Sequence, residues 1–192
     1  YANIANEEIN GIQLASFNYA KKVKGYQIGI INISDTIESG LPIGVFSFVK
    51  NGFHRIEIST NDVFFTSVAY KLGVQKLYNA ILLGYDLSEN LAIGYGIGTQ
   101  SKINNKFKFN LDVSSDLIFE SSSIDLQMSS DLTFESSSYN LIGTLNKLTA
   151  SFDYNIAQRI SIFAGPSLNV SAISFGNTSN SFVNIAPYSF YT

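Results

Sequence analysis

The chain has 192 residues and a formal net charge of -3, with 14% charged and 45% apolar residues. Soluble domains carry about a quarter charged residues, so this composition favours a protein with one large surface that faces something other than water. The small net charge and scattered basic residues exclude a nucleic-acid partner. Without cysteine the chain builds neither a disulfide framework nor a thiolate metal site.

The first fifty residues contain a repeated unit. Gly25–Asn32 reads GYQIGIIN, Gly40–Phe46 reads GLPIGVF, and an earlier copy begins at Gly11, so the copies are fourteen and fifteen residues apart. This spacing suits one strand plus one turn. It predicts strands near 11–20, 25–34 and 41–50.

His54 is the single histidine, and a Ser-His-acid group would have to combine it with Ser59, Ser67 or Glu57. Strand alternation places Glu57 on the opposite face from His54, and no nucleophile elbow is present. We therefore predict that the chain is not an enzyme and that His54 is an ordinary residue at the rim of the fold.

Alternation of apolar with small or polar residues is clear from Leu91 to Gln100. The glycines on the small face, Gly94, Gly96 and Gly98, precede no helix and so do not form a phosphate loop. They are expected to leave room in a lumen or to let a neighbouring backbone approach closely.

The same alternation continues through 105–120 and 124–135, and the run SSDLIFESSS at Ser114 to Ser123 recurs as SSDLTFESSS at Ser129 to Ser138. Polar positions along these strands predict a wall of mixed charge that faces a lumen. A calcium site or a cation-attracting wall is the alternative. The predicted wall consists of Lys106, Lys108, Asp112, Asp116, Glu120, Asp125, Asp131 and Glu135.

Alternation and the polar or Gly-containing turns between the strands predict about 12 strands (10–14) in all. No run of about 18 apolar residues provides a membrane-spanning helix, which excludes a helical membrane protein. The 54–71 region fits either a hairpin or one bent strand. The predicted fold is an all-β, antiparallel up-and-down transmembrane β-barrel that forms one domain, 1–192, and the ending Phe190-Tyr191-Thr192 leaves open whether its closing strand is included. The further strands are predicted near 54–61, 62–71, 76–87, 90–101, 105–120, 124–135, 139–154, 158–172 and 181–191.

Two sets of residues carry a resemblance to known families. GYQIGIIN and GLPIGVF resemble the Gly-x-Gln-Ile-Gly-x-x-Asn surface repeats of exported spirochaete and Bacteroidetes proteins. LGYDLSENLAIGYGIG at Leu83 to Gly98 and DYNIAQRISIFAGPSLNV at Asp153 to Val170 resemble outer-membrane β-barrel proteins of Bacteroidetes. The resemblance implies a Gram-negative cell outer membrane, with its lipids, lipopolysaccharide and other outer-membrane proteins as partners and no cofactor.

The sequence is compatible with three functions. Short predicted loops favour a structural or accessory subunit of an outer-membrane secretion, uptake or barrel-insertion machine. About twelve strands also fit a small passive pore or transporter. A β-solenoid built from the fourteen- to fifteen-residue repeats ranks third, since its caps are not recognisable in the sequence.

Overall fold

The computed structural model describes residues 1–192 except 89, 122–138, 158, 176–177 and 192. These residues form two sheets, and none of their segments is a helix long and apolar enough to cross a membrane. The first sheet is parallel and contains β1 (Ala2–Leu14), β2 (Phe17–Ile28), β3 (Ile31–Ile43) and β4 (Phe46–Val49). The second is antiparallel and contains β5 (Phe53–Ser59), β6 (Thr66–Val74), β7 (Leu77–Tyr85), β8 (Leu91–Lys102), β9 (Phe107–Ser121), β10 (Tyr139–Asn155), β11 (Ser161–Phe175) and β12 (Thr178–Tyr191).

The prediction of one closed, antiparallel up-and-down barrel of about 12 strands is wrong. Strands β1 to β4 stack in parallel as a β-solenoid, in which Gly25 pairs with Gly11 on one side and with Gly40 on the other. Each of these glycines has a positive φ (123°, 139° and 88° in chain order) and bends its strand. The repeated unit is therefore a solenoid turn and not a hairpin strand.

Buried amides hold the solenoid turns together. Asn18 Nδ2 donates to Asn32 Oδ1 at 2.9 Å, and Asn32 Nδ2 donates to Ser47 Oγ at 3.4 Å. A second column joins Gln27 Nε2 to Gln13 Oε1 at 2.8 Å. Parallel stacking brings identical side chains next to one another, and amide side chains then bond along the stack.

The β5–β12 sheet is a half-barrel. It curves so strongly that Arg55 on β5 forms an ion pair with Asp153 on β10. The sheet order begins at β12 and ends at β5; these two strands lie close together, but among the described residues no strand forms a hydrogen-bonded ladder with the outer edge of β5. The 54–71 region is a hairpin joined by residues 60–65, and the predicted strand at 124–135 lies outside the described residues.

The two faces of the half-barrel have opposite polarity. On β8, Ile93 and Ile97 of the convex face are 49% and 45% exposed, whereas Ala92 and Gln100 of the concave face are each 5% exposed. The same alternation along β6 to β11 leaves apolar side chains outside and buries polar ones inside. Exposed convex side chains include Val68, Tyr70, Ile81, Leu83, Leu91, Leu111, Val113, Leu117, Leu148, Phe152, Leu168 and Val170.

The last solenoid turn rests against one end of the convex face. Leu72 on β6 is only 1% exposed there, although its neighbour Tyr70 on the same face is 40% exposed. His54 and Asn79 supply polar contacts from β5 and β7 to the carbonyls of Val49 and Val45, at 2.8 and 3.1 Å. The solenoid and the half-barrel therefore share a packed junction.

Candidate functional site

Lys71 lies at the centre of an ion-pair network on the concave face. Its Nζ is 2.8 Å from Glu57 Oε2 and 3.0 Å from Asp112 Oδ2. The Tyr78 hydroxyl donates to Asp112 Oδ1 at 2.8 Å. Glu57 and Lys71 are 8% and 5% exposed and Tyr78 is fully buried, so strands β5, β6, β7 and β9 are joined through charges kept away from solvent.

A second group lies beside it around Asp153, which is fully buried. Arg55 pairs with Asp153, and Arg55 Nε is 3.0 Å from Glu57 Oε1. Asn110 Nδ2 donates to Asp153 Oδ1 at 2.7 Å, and Gln100 Nε2 donates to Asp153 Oδ2 at 3.3 Å. Asp153 on β10 is thus held by groups from β5, β8 and β9.

The opposite end of the concave face is closed by an apolar side chain. Phe64, in the segment between β5 and β6, is 1% exposed and packs with Ala92 and Leu145. Asn61 Oδ1 accepts hydrogen bonds from the backbone N–H groups of Val63 and Phe64 at 2.9 and 2.7 Å, which holds the segment in an Asx-type turn. The aromatic ring therefore fills this end as a plug.

Lys147 connects the plug to the acids of β9. Its Nζ is 2.8 Å from Asp116 Oδ2 and lies 5.1 Å from the centre of the Phe64 ring. Asp116 is 2% exposed. An ion pair and a cation–π contact therefore share one ammonium group.

The residues predicted to form one polar wall lie in different places in the structure. Asp112 and Asp116 face inward and form ion pairs, and Lys108 lines a cavity at the rim. Lys106 is exposed before β9, and Glu120 is exposed near the end of that strand. The remaining predicted members, Asp125, Asp131 and Glu135, lie outside the described residues.

The glycines of β8 make room for the acids of β9. A Cβ at Gly94 would lie 1.8 Å from Asp116 Oδ1, and a Cβ at Gly98 would lie 2.3 Å from Asp112 Oδ1 and 2.6 Å from the Tyr78 ring. Of the two roles predicted for these glycines, room on the inner face applies at Gly94 and Gly98, whereas Gly96 fits the close backbone approach, since a Cβ there would lie 2.9 Å from the carbonyl oxygen of Val113. The room that Gly94 and Gly98 leave is occupied by carboxylates.

Sequence reasoning missed the partners of these acids. Arg55, Glu57, Lys71, Lys147 and Asp153 were not predicted to belong to the site. The signal was present in the alternation, since Arg55 and Glu57 share one face of a strand whose other face carries isoleucine. Which strands face each other across the interior is a property of the curvature, and alternation within one strand does not contain it.

His54 lies on the convex face, away from Glu57 as the alternation predicts. Its Nδ1 is 3.1 Å from the Tyr70 hydroxyl, and its ring centre is 5.4 Å from that of Phe48. Ser67 is buried on the concave face. His54 therefore serves as a contact between the solenoid and the half-barrel.

No protein-family model, no curated protein and no solved structure matches this sequence. Within the described residues, no group of three or more His, Cys, Asp or Glu side chains is placed to hold a metal ion. The inward acids are instead matched by Arg55, Lys71 and Lys147. Chemically, the arrangement neutralises charge inside a curved sheet and holds its strands at fixed distances.

Proposed function

We propose that this chain is a cell outer-membrane protein that acts as a structural or accessory subunit of a larger outer-membrane assembly. The observation that carries the proposal is the reversed polarity of the half-barrel, which has an apolar convex face and ion pairs inside. Strands in lipid need about 9–11 residues to cross, and β9, β10 and β11 have 15, 17 and 15. The convex face is the surface that lipid would contact.

The packing between the Lys71 network and the Phe64 plug favours an accessory role over a pore. Side chains from opposite strands meet across the concave face, and the space left between Lys71 and Lys147 is a cavity of about 70 Å³. That volume has room for only a few water molecules. A conducting lumen requires a continuous aqueous path. In this half-barrel the buried ring of Phe64 fills one end of the concave face.

The solenoid offers a surface for a partner. Along β1, Ile4, Ile12 and Leu14 are 67%, 66% and 72% exposed, and among the described residues no strand pairs with the outer edge of β1. An uncovered edge strand presents a row of free backbone donors and acceptors that another protein can extend by adding a strand. This edge supports the subunit role.

Membrane placement is testable by fluorescence because the chain has no Trp. Ile93→Trp places a probe on the convex face, and Leu87→Trp places a control in the β7–β8 turn, where Leu87 is 78% exposed. In vesicles with lipids brominated deep in their acyl chains, we expect strong quenching of the Ile93→Trp variant and little quenching of the Leu87→Trp variant. Absence of quenching in both variants contradicts the membrane proposal.

Two measurements distinguish the accessory-subunit function from the passive-pore function. Purification from the native outer membrane in mild detergent is expected to yield stoichiometric companions that Ile12→Lys removes and Leu87→Lys retains, because a charge on an edge strand opposes strand addition. In planar bilayers the purified chain is expected to be electrically silent. Stepwise conductance would favour a passive pore instead.

A further inference from the structure

A cavity of about 770 Å³ opens at the free edge of β5, at the end of the half-barrel where β10 turns into β11. Its size lies within the range of about 300–1,000 Å³ that is usual for small-molecule sites. No described strand forms a hydrogen-bonded ladder with this edge of β5, although β12 lies close to it. The cavity adjoins the ion-pair network and shares Arg55 and Glu57 with it.

The lining of the cavity is positively charged. Arg55, Lys108 and Arg159 contribute three cations, and Glu57 is the one carboxylate among the described residues that line it. Glu57 is already neutralised by Lys71 at 2.8 Å and by Arg55 at 3.0 Å. In the described part of the chain Lys108 and Arg159 form no ion pair, so their charge is available to an anion.

An apolar strip adjoins the cations. Ile56, Ile58 and Ile160 also line the cavity, and they are 69%, 57% and 63% exposed. Ile56 and Ile58 project from β5 on the convex side, whereas Arg55 projects on the concave side. A ligand that fills the cavity would therefore meet cations at the rim and hydrocarbon along the outer face.

We propose that this cavity binds an anionic phosphorylated lipid. Its phosphate lies against Lys108 and Arg159, since guanidinium and ammonium groups form strong charge-assisted hydrogen bonds to phosphate oxygens. Its acyl chains run along Ile56 and Ile58. The inference rests on the proposed membrane placement, because the acyl chains come from the bilayer; free phosphate shares the head-group chemistry but makes no use of the apolar strip.

Binding to the detergent-solubilised full chain tests the proposal, with calorimetry as the readout. The probes are short-chain phosphatidic acid, the zwitterionic phosphatidylcholine of the same chain length, and inorganic phosphate. Lys108→Gln with Arg159→Gln removes the two unpaired cations. Lys76→Gln with Lys102→Gln is the matched control, since both lysines are exposed at the same end of the sheet and neither lines the cavity.

Phosphatidic acid is expected to bind the unmodified chain and the control equally, and to bind the Lys108/Arg159 variant about 10- to 100-fold more weakly. Ile58→Ser should weaken the binding of phosphatidic acid and leave the binding of inorganic phosphate unchanged. Equal losses in both charge variants, or phosphate binding as tightly as the lipid, overturn the proposal. If the Ile93→Trp variant is unquenched in vesicles while phosphatidic acid still binds, the membrane placement fails and the site stands.

Discussion

The side-chain oxygen of Asn79 accepts a hydrogen bond from the backbone N–H of Ser47 at 2.9 Å. Its amide also donates to the carbonyl of Val45 at 3.1 Å, and Asn79 is 3% exposed. The residue stands on β7, yet its side-chain amide bonds to two backbone groups of the last solenoid turn. The half-barrel thus provides the cap that a solenoid end requires.

Asn79→Ala is therefore expected to loosen the junction. It leaves the buried Ser47 N–H without its acceptor, at a cost of about 1–3 kcal/mol. Hydrogen exchange at the Ser47 amide should accelerate, and urea unfolding should shift to lower concentration. Asn79→Asp keeps the acceptor for Ser47, so its stability is expected to lie between those of the unmodified chain and of Asn79→Ala. Asn10→Ala, at an exposed position, serves as a neutral control. Unchanged exchange at Ser47 in Asn79→Ala contradicts this role.

The solenoid shows which part of the fold the sequence contained. The spacing of Gly11, Gly25 and Gly40 predicted a copied strand-and-turn unit, and the structure has that unit. The predicted bounds 11–20, 25–34 and 41–50 were wrong, because the turns at 15–16, 29–30 and 44–45 fall inside them. The pairing direction was also wrong, because alternation describes the faces of a strand and not its neighbour. Asn18 and Asn32 at equal positions of successive copies were the available signal, since amide columns form where identical residues stack in parallel.

In the half-barrel the strand positions were predicted, but the contacts across its interior were not. Its strand positions from 76 onward agree with the predicted segments within a few residues wherever the structure describes them. Inward acids such as Asp112 and Asp116 were also predicted from period-two alternation. Their partners Lys71 and Lys147 come from strands distant in sequence, and only the curvature of the sheet brings them together.

Acid and alkali are expected to weaken the solenoid through one exposed charge cluster. Lys22 Nζ lies 2.7 Å from Glu38 and 3.3 Å from Glu8, and Lys24 Nζ lies 2.7 Å from Glu8. Hydrogen bonds from Lys24 and then Lys22 lower the pKa of Glu8 from 4.5, and Lys22 does the same for Glu38. Glu38 and then Glu8 raise the pKa of Lys22 from 10.5, and Glu8 raises that of Lys24.

The sign of the effect follows from these directions. The stabilisation by Glu8 and Glu38 is complete above pH 4.5 and is lost as the pH falls through their lowered pKa values. The part that Lys22 and Lys24 contribute is complete below pH 10.5 and is lost as the pH rises through their raised pKa values. Urea unfolding followed by circular dichroism at several pH values measures both limbs.

Glu8→Gln with Glu38→Gln should flatten the acid limb, and Glu7→Gln should not, since Glu7 forms no ion pair within the described residues. High salt should reduce the difference, because the cluster is exposed and screened. An acid limb that is as steep in the double variant as in the unmodified chain places the titrating groups elsewhere.

Gly94→Ala is expected to destabilise the half-barrel by about 1–3 kcal/mol, as overpacking of an interior does. The added Cβ would overlap Asp116 Oδ1, at 1.8 Å, and push that carboxylate away from Lys147. Thr99→Ala on the exposed face of the same strand is the control and should change stability little. Chemical unfolding in lipid vesicles provides the comparison.

A double-mutant cycle identifies the cause of the loss. In an Asp116→Ala background the carboxylate is absent, so Gly94→Ala should cost less than it does alone. Additive costs would mean that the alanine disturbs the β8 backbone and not the acid beside it.

Lys71→Met tests whether the concave network is held by charge balance. Lys71 is 5% exposed and neutralises both Glu57 and Asp112. Removal of one partner from a buried ionic group leaves an uncompensated charge, which typically costs about 3–5 kcal/mol. Lys76→Met, at an exposed position of the β6–β7 turn, should cost less than about 0.5 kcal/mol. Chemical unfolding of both variants in lipid vesicles measures the difference.

The triple variant Lys71→Met, Glu57→Gln, Asp112→Asn separates charge from packing. With both acids neutral, the methionine no longer leaves a buried charge, so most of the stability lost in Lys71→Met should return. If the triple variant is less stable than Lys71→Met alone, the hydrogen bonds of Glu57 and Asp112, including the one from Tyr78 at 2.8 Å, matter more than their charge. The curvature of the half-barrel would then depend on hydrogen-bond geometry and not on the pairing of opposite charges.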